Sequence, residues 1–386
     1  MFSFLLAIIY LSFISLGLPD ALLGAGWPSM VEELGSPLSY AGIISMIISC
    51  GTIVSSLFSD KLTSRLGTGR VTAISVMLTA LALFGFSISG SFWILCVLAV
   101  PYGLGAGAVD AALNNYVALH YKASHMSWLH CFWGVGASLG PYIMEYAITK
   151  NNSWREGYGI VSGIQLGITF LLLSSLSYWK KAECKDTGND DSARIGIKSA
   201  MKIRGVRSIL LAFFGYCAFE STTGLWASSY LAEYKGVGAE LAAGFASLFY
   251  LGITLGRFIG GFISDRMGDK KMIRLGEGII LAGILLVILP ISGYIHTLTG
   301  LFLAGLGAAP VYPSIIHSTP ENFGKENSAK IVGMQMASAY TGSTLIPPLF
   351  GIMAEKINIS IYPVFLLIFV MLLVVMTEKV NRETVG

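Results

Sequence analysis

The chain repeatedly contains apolar stretches long enough to cross a lipid bilayer, and no other feature restricts its fold as strongly. Runs such as L-L-V-I-L-P-I-S-G and V-F-L-L-I-F-V-M-L-L-V-V-M recur along its 386 residues, and a spanning helix needs about 20 apolar residues. Only 12% of the residues are charged, far below the roughly one quarter found in soluble domains. A transmembrane barrel would show alternating segments of about ten residues, which this sequence lacks. The pattern therefore predicts an all-α membrane protein.

Counting these stretches predicts twelve transmembrane helices, joined by short connections except for a longer polar one after the sixth. The first stretch lacks the basic start and the cleavage site of a signal peptide, and Asp20 follows it without a break, so we expect it to be retained. The predicted spans are 3–29, 38–59, 69–89, 93–118, 126–148, 157–178, 207–232, 239–263, 272–293, 297–317, 328–353 and 358–377.

The second half of the chain repeats the first at an offset of about 200 residues, and the clearest sign is a matched pair of acids. Asp20 and Glu220 each interrupt an apolar stretch, and each is followed four residues on by a glycine and then by a tryptophan. The motif S-R-L-G in the first half likewise aligns with D-R-M-G in the second. A duplicated six-helix unit explains these matches. The predicted domains are two pseudo-symmetric six-helix bundles, 1–178 and 207–386, and a cytoplasmic linker, 179–206.

The distribution of charge predicts how the chain is oriented in the membrane, and charge and cysteine content together argue against nucleic-acid and metal partners. Most Lys and Arg residues follow helices two, six and eight, so both termini are expected on the cytoplasmic side of the cell membrane. Topology alone explains the basic linker, and we expect no nucleic-acid partner. The five cysteines form no C-x-x-C pair, and the sequence has no phosphate loop, metal-ligand spacing or paired nucleophile and base. We therefore expect a monomer in the lipid bilayer with no enzyme activity, no metal and no cofactor.

The clearest local motif is G-F-I-S-D-R-M-G-D-K-K at 261–271. Its glycines permit a tight turn, and Asp265 can accept hydrogen bonds from a neighbouring helix N-terminus or pair with a base. The motif resembles the signature loop of the major facilitator superfamily, which latches the cytoplasmic side of the closed bundle. The first half has Ser64 where the acid belongs. The residues of the cytoplasmic gate and signature loop are then Gly261, Asp265, Arg266, Gly268, Lys271, Arg65 and Gly67, with Arg257 as a gating or structural residue.

Three further segments resemble the fucose permease branch of that superfamily, the sugar:proton symporters. L-P-D-A-L-L at 18–23 is similar to the family's helix-one acid motif, and G-A-V-D-A-A-L-N-N-Y-V at 107–117 is similar to its helix-four acid. L-H-C-F-W-G-V-G-A at 129–137 is similar to its polar helix-five stretch. The resemblance implies that Asp20 and Asp110 take the positions of the two acids tied to proton coupling and sugar binding.

The intramembrane acids also indicate transport without reference to a family. An ionisable group at such a depth is costly and is by default functional. Desolvation favours the neutral carboxyl, which can take up a proton on one side of the membrane and release it on the other. A carboxylate that stays charged can instead bind a cation or sugar hydroxyls, or can pair with a base such as Arg257 and hold helices together. The candidates for proton coupling are Asp20, Asp110 and Glu220.

Polar and aromatic residues at mid-helix positions are candidates for solute binding. An imidazole can donate to a sugar oxygen or relay protons, and an amide offers both a donor and an acceptor. Tryptophan can stack on the apolar face of a sugar or mark the membrane interface. The candidates are His130, Asn114, Asn115, Trp133, Trp27, Trp226, Gln335, Tyr340 and Tyr312. By the same resemblance, His130 and Trp133 would take positions filled by amides in the fucose permease branch, so the sugar, if it is one, need not be fucose. Glu145 and Glu277 fall near predicted helix ends, and we interpret them as solvated acids.

The sequence thus predicts a secondary transporter that takes up a small neutral solute, a hexose or deoxyhexose, together with a proton. One alternative is a proton-driven exporter of drugs or lipids. Its support is G-A-S-L-G-P at 136–141, which is similar to the helix-five motif of drug:proton antiporters. Small residues at those positions would also let helices pack closely. Sodium as the coupling ion and a ligand sensor that does not transport are further alternatives.

Overall fold

The computed structural model describes residues 2–36, 40–151, 153–183, 195–237, 239–290 and 293–384, and the regular structure within these ranges is helical. A π-helical turn, Tyr230–Tyr234, extends α10, and a 3-10 turn, Ile359–Ile361, precedes α16. The helices are α1 (Phe2–Gly17), α2 (Leu22–Leu34), α3 (Tyr40–Leu66), α4 (Thr68–Ile88), α5 (Phe92–His120), α6 (Ala123–Asn151), α7 (Trp154–Ser174), α8 (Leu176–Glu183), α9 (Ile197–Ala200), α10 (Val206–Ser229), α11 (Ala239–Met267), α12 (Asp269–Ile288), α13 (Ile295–His317), α14 (Thr319–Phe323), α15 (Lys325–Lys356) and α16 (Tyr362–Thr384).

Eight segments of the described chain are long and apolar enough to cross a membrane by length and composition. They are Phe4–Trp27, Tyr40–Leu66, Thr68–Ile88, Phe92–His120, Trp154–Ser174, Val206–Tyr234, Ile295–His317 and Ile359–Thr384. The other four predicted spans coincide with α6, α11, α12 and α15, which are long helices with more polar residues. Each predicted span therefore contains a long helix, and the prediction of an all-α membrane protein is confirmed.

The predicted first span, 3–29, is not one continuous helix. α1 ends at Gly17 and α2 begins at Leu22, with a turn between them. Pro19 has no backbone N–H, and the turn closes with tighter bonds from the Asp20 N–H to the Gly17 carbonyl and from the Leu22 N–H to the Pro19 carbonyl, each 3.1 Å. Asp20 therefore lies in the break between α1 and α2.

The described helices form two compact units. The first consists of Met1–Tyr116 and Leu129–Arg194, and the second of Val117–Trp128 and Ile195–Gly386. The short segment Val117–Trp128, which contains the end of α5 and the start of α6, packs with the second unit, whereas the predicted halves place it in the first. Its hydrogen bonds, described below, give the reason.

Glycines set the helix pairs of the first unit. A Cβ atom on Gly136 or Gly140 would clash with a backbone carbonyl of α1 or of the turn that follows it, and Gly103 and Gly107 on α5 meet carbonyls of α3 in the same way. Both pairs of glycines are spaced four residues apart, the spacing that lets helix backbones approach closely in membranes. This contact accounts for the small residues at 136–141 by packing alone.

The second unit repeats the pairing of the first. Gly342 brings α15 against a carbonyl of α10, and Gly252 and Gly305 bring α11 and α13 together. These pairs correspond to α1 with α6 and α3 with α5. In addition, α4 packs on α7 in the first unit as α12 packs on α16 in the second. The helix pairs of the second unit thus follow the same order as those of the first.

We predict that Gly136→Ala destabilises the protein by about 1–3 kcal/mol, because the added methyl group must displace the backbone of α1. Thermal unfolding in detergent measures the effect. Gly134→Ala is the matched control, since Gly134 lies two residues earlier on α6 with open space around it. Equal melting temperatures for the two variants would contradict the close contact of α6 with α1.

Candidate functional site

Asp20 and Trp133 are joined by a hydrogen bond in the first unit. The indole Nε1 of Trp133 on α6 donates to Oδ2 of Asp20 at 2.9 Å. The bond depends on the glycine contacts between α6 and α1, since Gly17, at the end of α1, lies against the backbone carbonyl of Trp133. The side chain of Asp20 is nevertheless exposed, so the carboxylate is accessible while one of its oxygens is held in place.

Asp110, Asn114 and His130 form a buried chain of hydrogen bonds. The Asn114 amide, one turn after Asp110 on α5, donates to the Asp110 carboxylate at 2.8 Å. Its carbonyl oxygen lies 3.1 Å from Nε2 of His130 on α6, so this imidazole nitrogen carries the proton in that bond. The ring of Phe13 packs edge-on against His130, with centroids 5.5 Å apart. The structure therefore brings together three side chains that the sequence singled out from two helices.

Gln165 on α7 is a buried polar residue that the sequence analysis did not select. Its amide nitrogen donates to the Ser15 carbonyl at 2.8 Å, and its amide oxygen accepts from the Thr79 hydroxyl at 3.1 Å. It therefore connects α7 to α1 and α4. A single glutamine in an apolar helix was the signal available in the sequence.

A cavity of about 190 Å³ lies beside Asp20, and we call it the Asp20 cavity. Its lining comes from the turn after α1 and from α2, α3, α4, α5 and α7, all within the first unit. The lining residues are Pro19, Asp20, Leu23, Ser45, Ile48, Ser49, Leu83, Phe86, Tyr102 and Tyr158. Of these, only Asp20 was a candidate from the sequence.

The remaining binding candidates of the first unit occupy different surroundings. Trp27 is buried in the hydrophobic core that includes Leu22, Met30 and Trp154, and it does not line the Asp20 cavity. Asn115 is half-buried on α5. The structure therefore does not bring Trp27 to the cavity that contains Asp20.

The binding candidates of the second unit are held by neighbouring residues. The Trp226 indole donates to the Pro347 carbonyl at 2.9 Å, and the Tyr312 hydroxyl donates to the sulfur of Met336 at 3.3 Å. Gln335 is fully buried, and its amide oxygen accepts from the Thr319 hydroxyl at 3.0 Å. Its amide nitrogen has no hydrogen-bond partner within the described residues. Tyr340 lies half-buried on α15.

Glu220, the repeat counterpart of Asp20, is engaged differently. Its carboxylate lies 3.6 Å from Nη2 of Arg257 on α11. The Arg257 side chain is 5% exposed and that of Glu220 is 20% exposed, so the pair is largely withdrawn from the surface. A charge pair of this kind joins α10 to α11 and corresponds to the structural alternative considered for the intramembrane acids.

The interpretation of Glu277 as a solvated acid is wrong. Its side chain is only 3% exposed, and its carboxylate accepts a hydrogen bond of 2.6 Å from the Thr377 hydroxyl on α16. The close packing of α12 on α16 encloses it, which its position near a predicted helix end did not reveal. Glu145, by contrast, is exposed as expected.

The signature loop at the end of α11 binds the start of α6 within the second unit. Both carboxylate oxygens of Asp265 accept hydrogen bonds from Ser124, one from the backbone N–H and one from the hydroxyl, each 2.9 Å. Asp265 therefore acts on a helix N-terminus, one of the two arrangements expected for it. Gly268 and its repeat counterpart Gly67 both have positive φ angles, +76° and +81°. Each lies immediately before the first residue of the next helix. The basic residues Arg65, Arg266 and Lys271 point outward, being exposed or half-exposed.

Two further contacts fasten the segment Val117–Trp128 to the second unit. A Cβ atom on Gly261 would overlap the indole of Trp128, so only glycine fits there. His317 lies 2.7 Å from Asp269 through Nδ1 and 3.1 Å from the Tyr121 carbonyl through Nε2. Both partners are acceptors, so the two bonds together require a doubly protonated imidazole. His317 was not among the candidates from the sequence, where its position at the end of a long predicted helix was the one feature that pointed to it.

The family of this chain follows from its similarity to known proteins. A model described as Major Facilitator Superfamily matches residues 9–246 and 209–380. This chain belongs to the major facilitator superfamily. Proteins of this superfamily are transporters, so the expectation that the chain is not an enzyme is confirmed, and the chain is a multi-pass membrane transporter.

Individual relatives are distant and cover most of the chain. The glucose/mannose transporter GlcP of Bacillus subtilis is 23% identical, across 89% of this chain and 86% of its own length. The quinolone resistance protein NorA of Staphylococcus aureus is also 23% identical, across 97% of this chain and 95% of its own. A crystal structure of the E. coli fucose:proton symporter FucP has a TM-score of 0.79 at 18% identity, with coverage of 99% and 98%. The resemblance to the superfamily's fold is thereby confirmed.

We predict that Asp265→Asn increases hydrogen exchange at the Ser124 amide by about tenfold or more, because a charge-assisted bond to that amide is lost. Exchange followed by mass spectrometry on peptides covering residues 121–128 measures it. Arg266→Gln is the control, since it changes an exposed neighbouring charge that makes no such bond. Unchanged protection in Asp265→Asn would contradict the contribution of Asp265 to the α6 N-terminus.

Proposed function

We propose that this transporter takes up a small neutral solute, a hexose or deoxyhexose, together with a proton by alternating access. The observation that supports it best is the pair of acids in the first unit: Asp20 is exposed beside a cavity, and Asp110 is buried and bonded through Asn114 to His130. Sugar transport by the relatives GlcP and FucP, as their names state, agrees with this choice of solute.

Asp20 is the residue best placed to exchange a proton and contact a solute. A carboxylate at membrane depth that is accessible from a cavity can take up or release a proton when its surroundings change, since charge at that depth is costly. Protonation at Asp20 would weaken the bond from the Trp133 indole and turn an acceptor into a donor beside the cavity. Binding of solute and of proton at Asp20 would then be coupled, since each changes the affinity for the other.

The Asp110, Asn114 and His130 chain is the second part of the proposed coupling. Asp110 accepts from an amide that in turn binds an imidazole, so a change of charge on either end alters the hydrogen bonds of the other. His130 lies three residues before Trp133 on α6 and so is on the same helix face, about one turn away. In this proposal Glu220 contributes through its pair with Arg257, as an element that changes partner during transport or as a fixed link.

Export of drugs with proton antiport is the second candidate, and the similarity to NorA favours it. The Asp20 cavity favours the smaller solute, because its volume of about 190 Å³ lies below the roughly 300–1,000 Å³ of pockets that take drug-sized ligands. Counterflow in proteoliposomes distinguishes the two. Exchange of a labelled hexose supports uptake of sugar, whereas exchange of lipophilic cations alone supports export.

We predict that Asp20→Asn and Asp110→Asn lower hexose uptake driven by an inward proton gradient at least tenfold, because a neutral amide cannot carry the proton. Counterflow, which needs no net proton movement, should persist in at least one of them. Glu145→Gln is the control, because Glu145 is an exposed acid on α6. Proton-driven uptake that survives both substitutions would refute the coupling role. Uptake that follows a sodium gradient instead would reassign the coupling ion.

A further inference from the structure

The lining of the Asp20 cavity is chemically specific. Three residues with hydroxyl groups line it together with Asp20, namely Ser45 and Ser49 on α3 and Tyr102 on α5. Ser45 and Ser49 are four residues apart, so they lie on one face of α3. None of these three was selected from the sequence, because serine and tyrosine are common in membrane helices and their spacing alone indicates nothing.

These groups match the polar edge of a sugar ring. Each hydroxyl of a sugar can donate one hydrogen bond and accept others, and Ser and Tyr hydroxyls offer the same combination. The carboxylate accepts only. In the described part of the chain the bond from Trp133 ends on Oδ2 of Asp20, which leaves Oδ1 to accept from a sugar hydroxyl. The site therefore supplies both hydrogen-bond donors and hydrogen-bond acceptors for adjacent sugar hydroxyl groups.

Apolar and aromatic residues also line the cavity. Leu83 and Phe86 on α4 and Tyr158 on α7 contribute to it, and the rings of Phe86 and Tyr158 pack edge to face with centroids 5.3 Å apart. The C–H face of a pyranose packs well on such surfaces. Both rings are almost fully buried in the core of the first unit, so this wall is rigid and its shape is set in the absence of solute.

We propose that the Asp20 cavity binds a single pyranose ring, with Ser45, Ser49 and Tyr102 as the residues that determine which monosaccharide is accepted. This inference rests on the proposed function and specifies its solute site. A volume of about 190 Å³ suits one ring, and we expect disaccharides to exchange poorly. The ring hydroxyls contact α3 and α5, and the proton site at Asp20 lies against the bound sugar.

The experiment is counterflow in proteoliposomes with D-glucose, D-mannose, D-galactose and L-fucose, followed by every singly deoxygenated form of the sugar that exchanges best. It compares the wild-type protein with Ser45→Ala, Ser49→Ala and Tyr102→Phe. Each variant should raise the half-saturating concentration of the parent sugar about three- to tenfold, the effect of one lost neutral hydrogen bond. The same variant should leave unchanged the value for the deoxy sugar that lacks the matching hydroxyl.

Ser138→Ala is the matched control, because the Ser138 hydroxyl is exposed and bonds to the Gly134 carbonyl of its own helix. Tyr102→Phe keeps the ring that packs in the core, so a folded protein is expected. Sugar binding measured by tryptophan fluorescence provides a second readout, because the Trp133 indole bonds to Asp20 in the cavity. Trp133→Phe is the reference for this signal.

The outcomes separate the site from the function. If the wild-type protein exchanges a hexose and all three variants match it on the parent and deoxy sugars, the cavity assignment is overturned and sugar transport stands. If maltose exchanges as well as glucose, the limit to one ring is overturned. If no sugar exchanges and tetraphenylphosphonium binds in a manner lost in Asp20→Asn, the proposed function fails and the site with it.

Discussion

The close approach of α6 to α1 is the contact on which the site in the first unit depends. Without side chains at Gly136 and Gly140, the α6 backbone lies against carbonyls of α1 and of the turn after it. Trp133 and His130, on the α6 segment before these glycines, are thereby brought next to Asp20 and Asn114. In lipid the hydrophobic effect does not drive helices together, so packing of small residues and hydrogen bonds must do so. Here the same pair of helices uses both.

The intramembrane acids are stabilised in two different ways. Asp20 accepts a hydrogen bond from an indole and Asp110 accepts one from an amide. Glu220 is paired with Arg257, and loss of either charge would leave the other buried. The two halves of a duplicated chain have thus diverged at equivalent positions. In the first unit the described partners include an indole and an amide, and in the second Glu220 is paired with the buried Arg257.

The segment Val117–Trp128 lies in the first half of the sequence but packs within the second unit. It contains the end of α5 and the start of α6, and Asp265, His317 and Gly261 contact it. The signature loop therefore acts on a helix terminus, where partial positive charge attracts a carboxylate. In the first half the Ser64 hydroxyl donates to the Lys61 carbonyl of its own helix. The asymmetry of the two loops in sequence is accompanied by an asymmetry of contacts.

The sequence by itself determined the helical membrane fold, the internal repeat and the identity of the acids, because apolar length, periodic matches and a charge within an apolar stretch are local properties of the chain. It also indicated Asp110, Asn114 and His130, two of them one turn apart on α5. Only the tertiary structure decided that Trp133 donates to Asp20, that Glu277 is enclosed, and that Ser45, Ser49 and Tyr102 face one cavity. These outcomes depend on which helix faces meet, and the rotation of an apolar helix against its neighbours is set by glycine contacts between residues distant in sequence.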